Sequence, residues 1–182
     1  MRFAFILFLL VFLFGAFSFV PKIKVQVDNP LNDSIFVNLD GKDSFWVAPK
    51  KIKNVLLKSG KHSFTTFVKK KAYCNGYFDS PFDGVMNVTK SVYVVWKDIF
   101  MKQEKEEYYE NIDENEVVIH GKSYFADLKV FDENAIYIPA EWDYGLETPF
   151  PQKVSLGNEP FKVVTKIYRE NEFIREYNNI PN

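Results

Sequence analysis

The sequence predicts a mainly β, antiparallel fold, most simply a β-sandwich. Short apolar runs that alternate with polar residues recur along residues 23–68, the period of a strand with one buried face. Turn dipeptides punctuate the chain at Asp40-Gly41, Ser59-Gly60, Asn75-Gly76, Asp83-Gly84 and His120-Gly121. The 19 Phe and 10 Tyr favour pleated, half-buried surfaces over helices. With 182 residues, 47% of them hydrophobic, the chain has material for one core, or one plus a small addition.

The first element is an apolar segment. Arg2 precedes an unbroken apolar run from Phe3 to Phe14, followed by Gly15, Ala16 and Ser18. Ala16 and Ser18 fit the small residues before a signal-peptidase site, so residues 1–18 are expected to be a signal peptide cut before Phe19. The alternative is an uncleaved anchor, because Phe3 to Val20 is at the lower edge of a membrane span. Either way the remaining chain is expected outside the cytoplasm: secreted, periplasmic or membrane-anchored. The single Cys74 excludes an intramolecular disulfide and a cysteine-based metal cluster.

Residues 19–103 read as a β meander, the first part of the sandwich. Ile23, Val25 and Val27 alternate with Lys22, Lys24, Gln26 and Asp28 as a one-face-buried strand. Residues 34–39 and 42–47 flank Asp40-Gly41 as a first hairpin, which Pro49 ends. Lys50, Lys51 and Lys53 mark a strand edge. Residues 52–57 and 61–68 flank Ser59-Gly60 as a second hairpin, and Asn75-Gly76 interrupts the run that follows. Residues 91–96, SVYVVW, are apolar on both faces and suit a central, doubly covered strand.

Residues 104–116 are an acidic connector, seven acids against Lys105, with one or two helical turns at most. Residues 117–182 resume the β pattern, as further strands of the same domain or as a second small one. Strands are expected at 117–119, 123–128, 135–138, 153–156 and 161–168. In the last of these Phe161, Val163, Thr165 and Ile167 face inward, and Lys162, Val164, Lys166 and Tyr168 outward. Residues 173–177 read equally as a final strand or a helical turn.

Net charge is −1, which implies neither nucleic acid nor an anionic membrane as a partner of the whole surface. Its distribution is uneven: residues 19–103 carry 14 Lys against 7 acids, and residues 104–182 carry 8 Lys and Arg against 17. Membrane contact is expected only through the N-terminal segment, if it is retained. There is no Gly-rich phosphate loop, no G-x-S-x-G and no H-E-x-x-H. The two histidines, His62 and His120, are too isolated to read as a metal site, so no cofactor or metal is expected.

One loop, residues 137–150, gathers aromatic rings with carboxylates: Tyr137, Glu141, Trp142, Asp143, Tyr144 and Glu147, with Phe150 at its end. Rings beside acids suit sugars, which present C–H faces and hydroxyls. Tyr137, Glu141, Trp142, Asp143 and Tyr144 are therefore the candidate ligand-binding residues, and no residue is assigned a catalytic role. The competing reading folds Trp142 and Tyr144 back over the core as a lid. A small glycan-acting enzyme would use Glu141, Asp143 and Glu147 as its acids. Two glycosylation tripeptides occur, at Asn32 and Asn87.

Val37, Asp40, Gly41, Pro49, Leu57, Gly60 and His62 follow a pattern of strand, D-G turn, proline-ended strand and L-x-x-G-x-H. In this the chain resembles PEGA-like and related immunoglobulin-like modules of bacterial envelope proteins. Asn87, Thr89 and Tyr93, with Trp96 beyond, resemble an element of uncharacterised exported bacterial proteins. The resemblance implies an immunoglobulin-like or related sandwich with no assigned activity. The expected function is thus an exported, non-enzymatic domain that binds or scaffolds at the cell envelope, with a glycan or another envelope protein as partner. The alternative is a glycan-binding module or glycan-acting enzyme using the 137–150 loop.

Overall fold

The computed structural model describes residues 21–179, so the expected signal or anchor segment lies outside the described residues. The fold is mainly β, with twelve strands in three four-stranded sheets and two helices among the described residues. No helix among the described residues is long and apolar enough to cross a membrane.

The first sheet runs in the order β11-β7-β1-β4 and the second in the order β3-β2-β5-β6. Their strands are β1 (Lys22–Asn29), β2 (Ile35–Leu39), β3 (Asp43–Val47), β4 (Lys51–Lys58), β5 (Gly60–Val68), β6 (Lys71–Ser80), β7 (Gly84–Met86) and β11 (Tyr137–Pro139). Ile23, Val25, Val27 and Leu57 from the first sheet meet Ile35, Val37, Leu39 and Phe64 from the second in one apolar cluster. The third sheet, β12-β8-β10-β9, contains β8 (Tyr93–Met101), β9 (Asn115–Ile119), β10 (Lys122–Phe131) and β12 (Phe161–Arg169). It packs on the other face of the first through Val85, Ile138, Tyr93, Val95, Leu146 and Ile167. Helix α2 (Glu170–Asn178) covers its far face, where Phe173 is fully buried; α1 (Glu106–Tyr109) is one turn in the acidic connector.

The period-two reading holds where a strand has one buried face. The β2–β3 turn has positive φ at both Asp40 and Gly41, but Leu39 pairs with Asp43, so the loop has three residues rather than the expected two. His120 and Gly121 also have positive φ, between β9 and β10. β4 is an edge strand carrying Lys51, Lys53 and Lys58, and β8 is central with Tyr93, Val94, Val95 and Trp96 all buried.

Other expectations are corrected. Ser59-Gly60 does not close a hairpin: β4 pairs along its whole length with β1, while β5 pairs with β2 and β6, so the chain crosses between sheets there. Eight residues of register with β1 outcompete a local β4–β5 pairing. Asn75-Gly76 is no turn but lies inside β6, where Gly76 serves packing: an added Cβ would lie 3.0 Å from Ile136 and 3.1 Å from Phe64. The turn is instead at Lys69-Lys70, two non-glycine residues with φ of 49° and 65°. Residues 153–156 form no strand; of the two readings of residues 173–177 the helical one holds, within α2. On β12 the side expected to face solvent, Val164, Lys166 and Tyr168, is buried: Tyr168 packs with α2 and Phe150, and Lys166 donates to the carbonyls of Gly145 and Thr148.

Polar groups hold the layers in register. Asp28 of β1, fully buried, accepts hydrogen bonds from Arg169 Nε (3.1 and 3.0 Å) and Nη2 (2.6 Å) and from Tyr93 Oη (2.9 Å). Burial pushes the Asp28 carboxyl upward against the pull of Arg169 and Tyr93. Arg169 Nη1 also donates to Glu172 at 2.7 Å, which ties β12 to the first turn of α2. Asn87, 1% exposed, exchanges hydrogen bonds with the backbone of Ser91 at 2.7 and 2.9 Å. Its amide is therefore closed to glycosylation in the folded chain, whereas Asn32 is exposed.

His62 fastens the first hairpin. Its Nδ1 lies 2.7 Å from Asp40 Oδ2 and its Nε2 lies 2.8 Å from the Lys58 carbonyl, both acceptors, so the doubly protonated ring satisfies both contacts. Burial alone lowers the imidazole pKa, but the Asp40 and Lys58 hydrogen bonds and the charges of Asp40 and Asp79 raise it above its ordinary 6.5. A raised histidine contributes stability that is complete below the unfolded value and is lost as pH rises through the folded value. Urea midpoints of the native protein and His62→Gln should therefore differ most below pH 6.5 and converge as pH rises above the folded-state value. A gap that is constant with pH would show that the ring does not titrate with folding.

Candidate functional site

The 137–150 loop is a strap around the edge of β12. The N–H groups of Asp143 and Tyr144 both donate to the Thr165 carbonyl at 3.0 Å, and Ile167 N–H donates to the Tyr144 carbonyl at 3.1 Å. Asp143 Oδ2 accepts from Thr165 N–H at 2.9 Å and Oγ1 at 3.1 Å. This covers an edge strand that would otherwise present free backbone groups. Buried Lys166 reinforces the strap by donating to the carbonyls of Gly145 (2.9 Å) and Thr148 (2.6 Å), with its ammonium 4.6 Å from the Tyr168 ring centre. Leu146 then enters the core on one face of β12, and Phe150 stacks on Trp96 on the other.

The expected site residues are accordingly dispersed. Tyr137 stacks on Phe78 between the first two sheets, and its hydroxyl donates to the Phe82 carbonyl. Trp142 packs, half-buried, on the cluster between the first and third sheets. Tyr144 meets Phe150 edge to face. Glu141 pairs with Lys129 at 3.2 Å, Asp143 is held by Thr165, and Glu147 accepts from Ile52 N–H at 3.3 Å. Glu141 and Trp142 share a cavity of about 180 Å³, below the roughly 300 Å³ of a small ligand site.

Two larger clefts, about 520 and 740 Å³, flank α2 and share Lys50, Arg169, Glu172 and Arg175. Their charges are interleaved and partly paired with one another, so neither presents one dominant sign. Among the described residues no group of three or more His, Cys, Asp or Glu could hold a metal. Cys74 is buried, and burial pushes its thiol pKa up, away from a reactive thiolate.

A different surface stands out: the outer face of β3-β2-β5-β6, turned away from the core. The register sets Trp46, Phe36, Phe67 and Ala72 side by side across the four strands. The next outward-facing row is Ser44, Asn38, Thr65 and Asn75, and beyond it lie Ser63 and Tyr77. Trp46 is 58% exposed and Tyr77 83%. The Phe36 ring lies 5.2 Å from Trp46 and 6.2 Å from Phe67, both tilted. None of these side chains carries a charge, in a chain of which 26% of residues do. Strands about 4.8 Å apart make each row roughly 14 Å long.

Sequence reasoning missed this surface because each of its residues occupies the expected outward position of an ordinary strand. Only the pairing of β2 with both β3 and β5 aligns them. The signal available in the sequence was the presence of Phe36, Trp46 and Phe67 where charged residues usually stand. Compared with known proteins, the chain matches no family model, no curated protein and no solved structure.

Proposed function

We propose that this chain is a non-enzymatic binding domain acting outside the cytoplasm, and that the open face of β3-β2-β5-β6 takes up a neutral glycan. The single observation that carries the reading is the uncharged lattice of rings and small hydrogen-bonding groups on that face. Aromatic rings match the C–H faces of sugars, and the amides and hydroxyls of Asn38, Asn75, Ser44 and Thr65 match their hydroxyls. A row roughly 14 Å long, the width of four strands, suits a short stretch of a linear polymer lying across the sheet. An anionic polymer or nucleic acid would call for cations among the rings; these three rows have none, and the row beyond them sets Lys61 opposite Asp79, one cation facing one acid. In the same reading the first two sheets form a β-sandwich of immunoglobulin-like kind, with the third sheet and α2 as an addition, and the 137–150 loop serves as the strap that holds that addition.

Affinity electrophoresis through gels containing soluble neutral polysaccharides tests this. The native chain should be retarded in at least one neutral gel and not in an alginate gel. Trp46→Ala and Tyr77→Ala should each weaken retardation about tenfold, the worth of one lost stacking contact of ~1.4 kcal/mol. Trp142→Ala should leave retardation unchanged if it folds. Retardation that survives Trp46→Ala, or none in any neutral gel, would overturn the proposal.

A further inference from the structure

Pro21 is the first described residue, and its carbonyl accepts a hydrogen bond from Ser59 N–H at 3.1 Å. The face of β1 and β4 turned away from the second sheet carries Lys22 opposite Lys58, then Lys24 opposite Leu56. The third sheet packs farther along, against Ile52 and Val85, and leaves this end open. Leu56 is 67% exposed there. On the other side of β1, Phe82 is 69% exposed in the turn before β7. That turn is fixed by Lys24 N–H donating to Asp83 Oδ1 at 2.8 Å and by the Tyr137 hydroxyl on the Phe82 carbonyl. Two apolar side chains are thus held on firm backbone at an end ringed by lysine.

The sequence immediately before Pro21 carries no charged residue from Phe3 to Val20. From this juxtaposition we infer that, in a chain that keeps this run, the end of the domain at Pro21 docks on a membrane surface bearing anionic headgroups. Leu56 and Phe82 reach the boundary between headgroups and acyl chains, while Lys22, Lys24 and Lys58 meet the phosphates. The cations argue for lipid over protein: all three are lysines, which are depleted in protein interfaces, where arginine is enriched. They are also compact, hydrated charges whose stems lie along apolar surface while the ammonium stays in the headgroup region. Asp83 lies beside Lys24, and one of its oxygens is already taken by the Lys24 N–H. This surface is separate from the uncharged face of the second sheet, and the inference does not rest on the glycan reading.

The full chain, reconstituted in vesicles, tests it. An environment-sensitive dye is attached at Leu56→Cys or Phe82→Cys in a Cys74→Ser background, with Tyr77→Cys as the control position. In vesicles of phosphatidylcholine mixed with phosphatidylglycerol, dyes at 56 and 82 should shift to the blue and be quenched by lipid-borne quencher, and the dye at 77 should not. The shift should weaken with added salt. Lys22→Gln, Lys24→Gln and Lys58→Gln combined should lower the docked-to-undocked ratio by roughly a hundredfold, about fivefold per lysine. Equal quenching at 56 and 77, or the same signal in pure phosphatidylcholine, would overturn the inference, since tethering alone would then account for proximity. Circular dichroism of each variant separates loss of docking from loss of fold.

Discussion

Asp28→Asn and Arg169→Met should each cost about 3–5 kcal/mol of stability, the largest effects expected of polar substitutions in this chain. Asp28 is fully buried and Arg169 is 6% exposed, so removing either partner strands a charge that water cannot reach. In Asp28→Asn the guanidinium keeps only the Glu172 contact as an ion pair. In Arg169→Met the carboxylate keeps only the Tyr93 hydroxyl. The paired replacement, Asp28→Leu with Arg169→Met, leaves no buried charge unpaired: the Tyr93 hydroxyl loses its acceptor, and Glu172, 30% exposed, exchanges its Arg169 contact for water. It should cost less than the two single changes added together. Urea denaturation gives all three values. Single-variant costs under about 1 kcal/mol would mean that water reaches the pair in solution.

Phe173→Ala should cost a similar ~3–5 kcal/mol, for a different reason. The ring is fully buried, with centroids at 5.2 Å from Tyr124, 5.7 Å from Tyr177, 6.0 Å from Trp96 and 6.3 Å from Tyr168. It is the one fully buried side chain of α2, so its loss removes most of what seats that helix on the third sheet. Near-ultraviolet circular dichroism should fall with stability, because the ring touches Trp96 and three tyrosines. Full retention of that signal and of the urea midpoint would mean that α2 is held by its polar contacts alone.

These two sites show what the sequence revealed and what it hid. Period-two alternation marked β1 and β2, and a continuous apolar run marked the central strand β8, because these strands bury side chains in the way that their patterns imply. It misjudged β12, because that strand is covered on both sides: Lys166 is buried through hydrogen bonds to two carbonyls, and Tyr168 through α2. A buried lysine reads as a surface residue until its acceptors are known, and these come from residues 145 and 148, far along the chain. Asp28 likewise read as an outward polar residue of β1, since its partner Arg169 is 141 residues away. Glycine signals worked where the turn needed positive φ, at Gly41 and Gly121, and failed at Gly76, where the need was space beside Phe64.

The candidate site was hidden for the same reason. The aromatic residues clustered in sequence, Tyr137, Trp142 and Tyr144, are separated by the fold, because a loop that wraps an edge strand sends successive side chains to different layers. Phe36, Trp46 and Phe67, spread along the chain, are brought together by antiparallel pairing. Register, which depends on long-range pairing, assembled the surface, and local spacing did not reveal it.

The most direct test of the glycan face is a backbone-amide NMR titration with a neutral oligosaccharide that retards the protein in gels. Shifts confined to Phe36, Asn38, Ser44, Trp46, Thr65, Phe67, Asn75 and Tyr77 are the predicted result. Shifts centred on residues 137–150, or on the clefts beside α2, would contradict it.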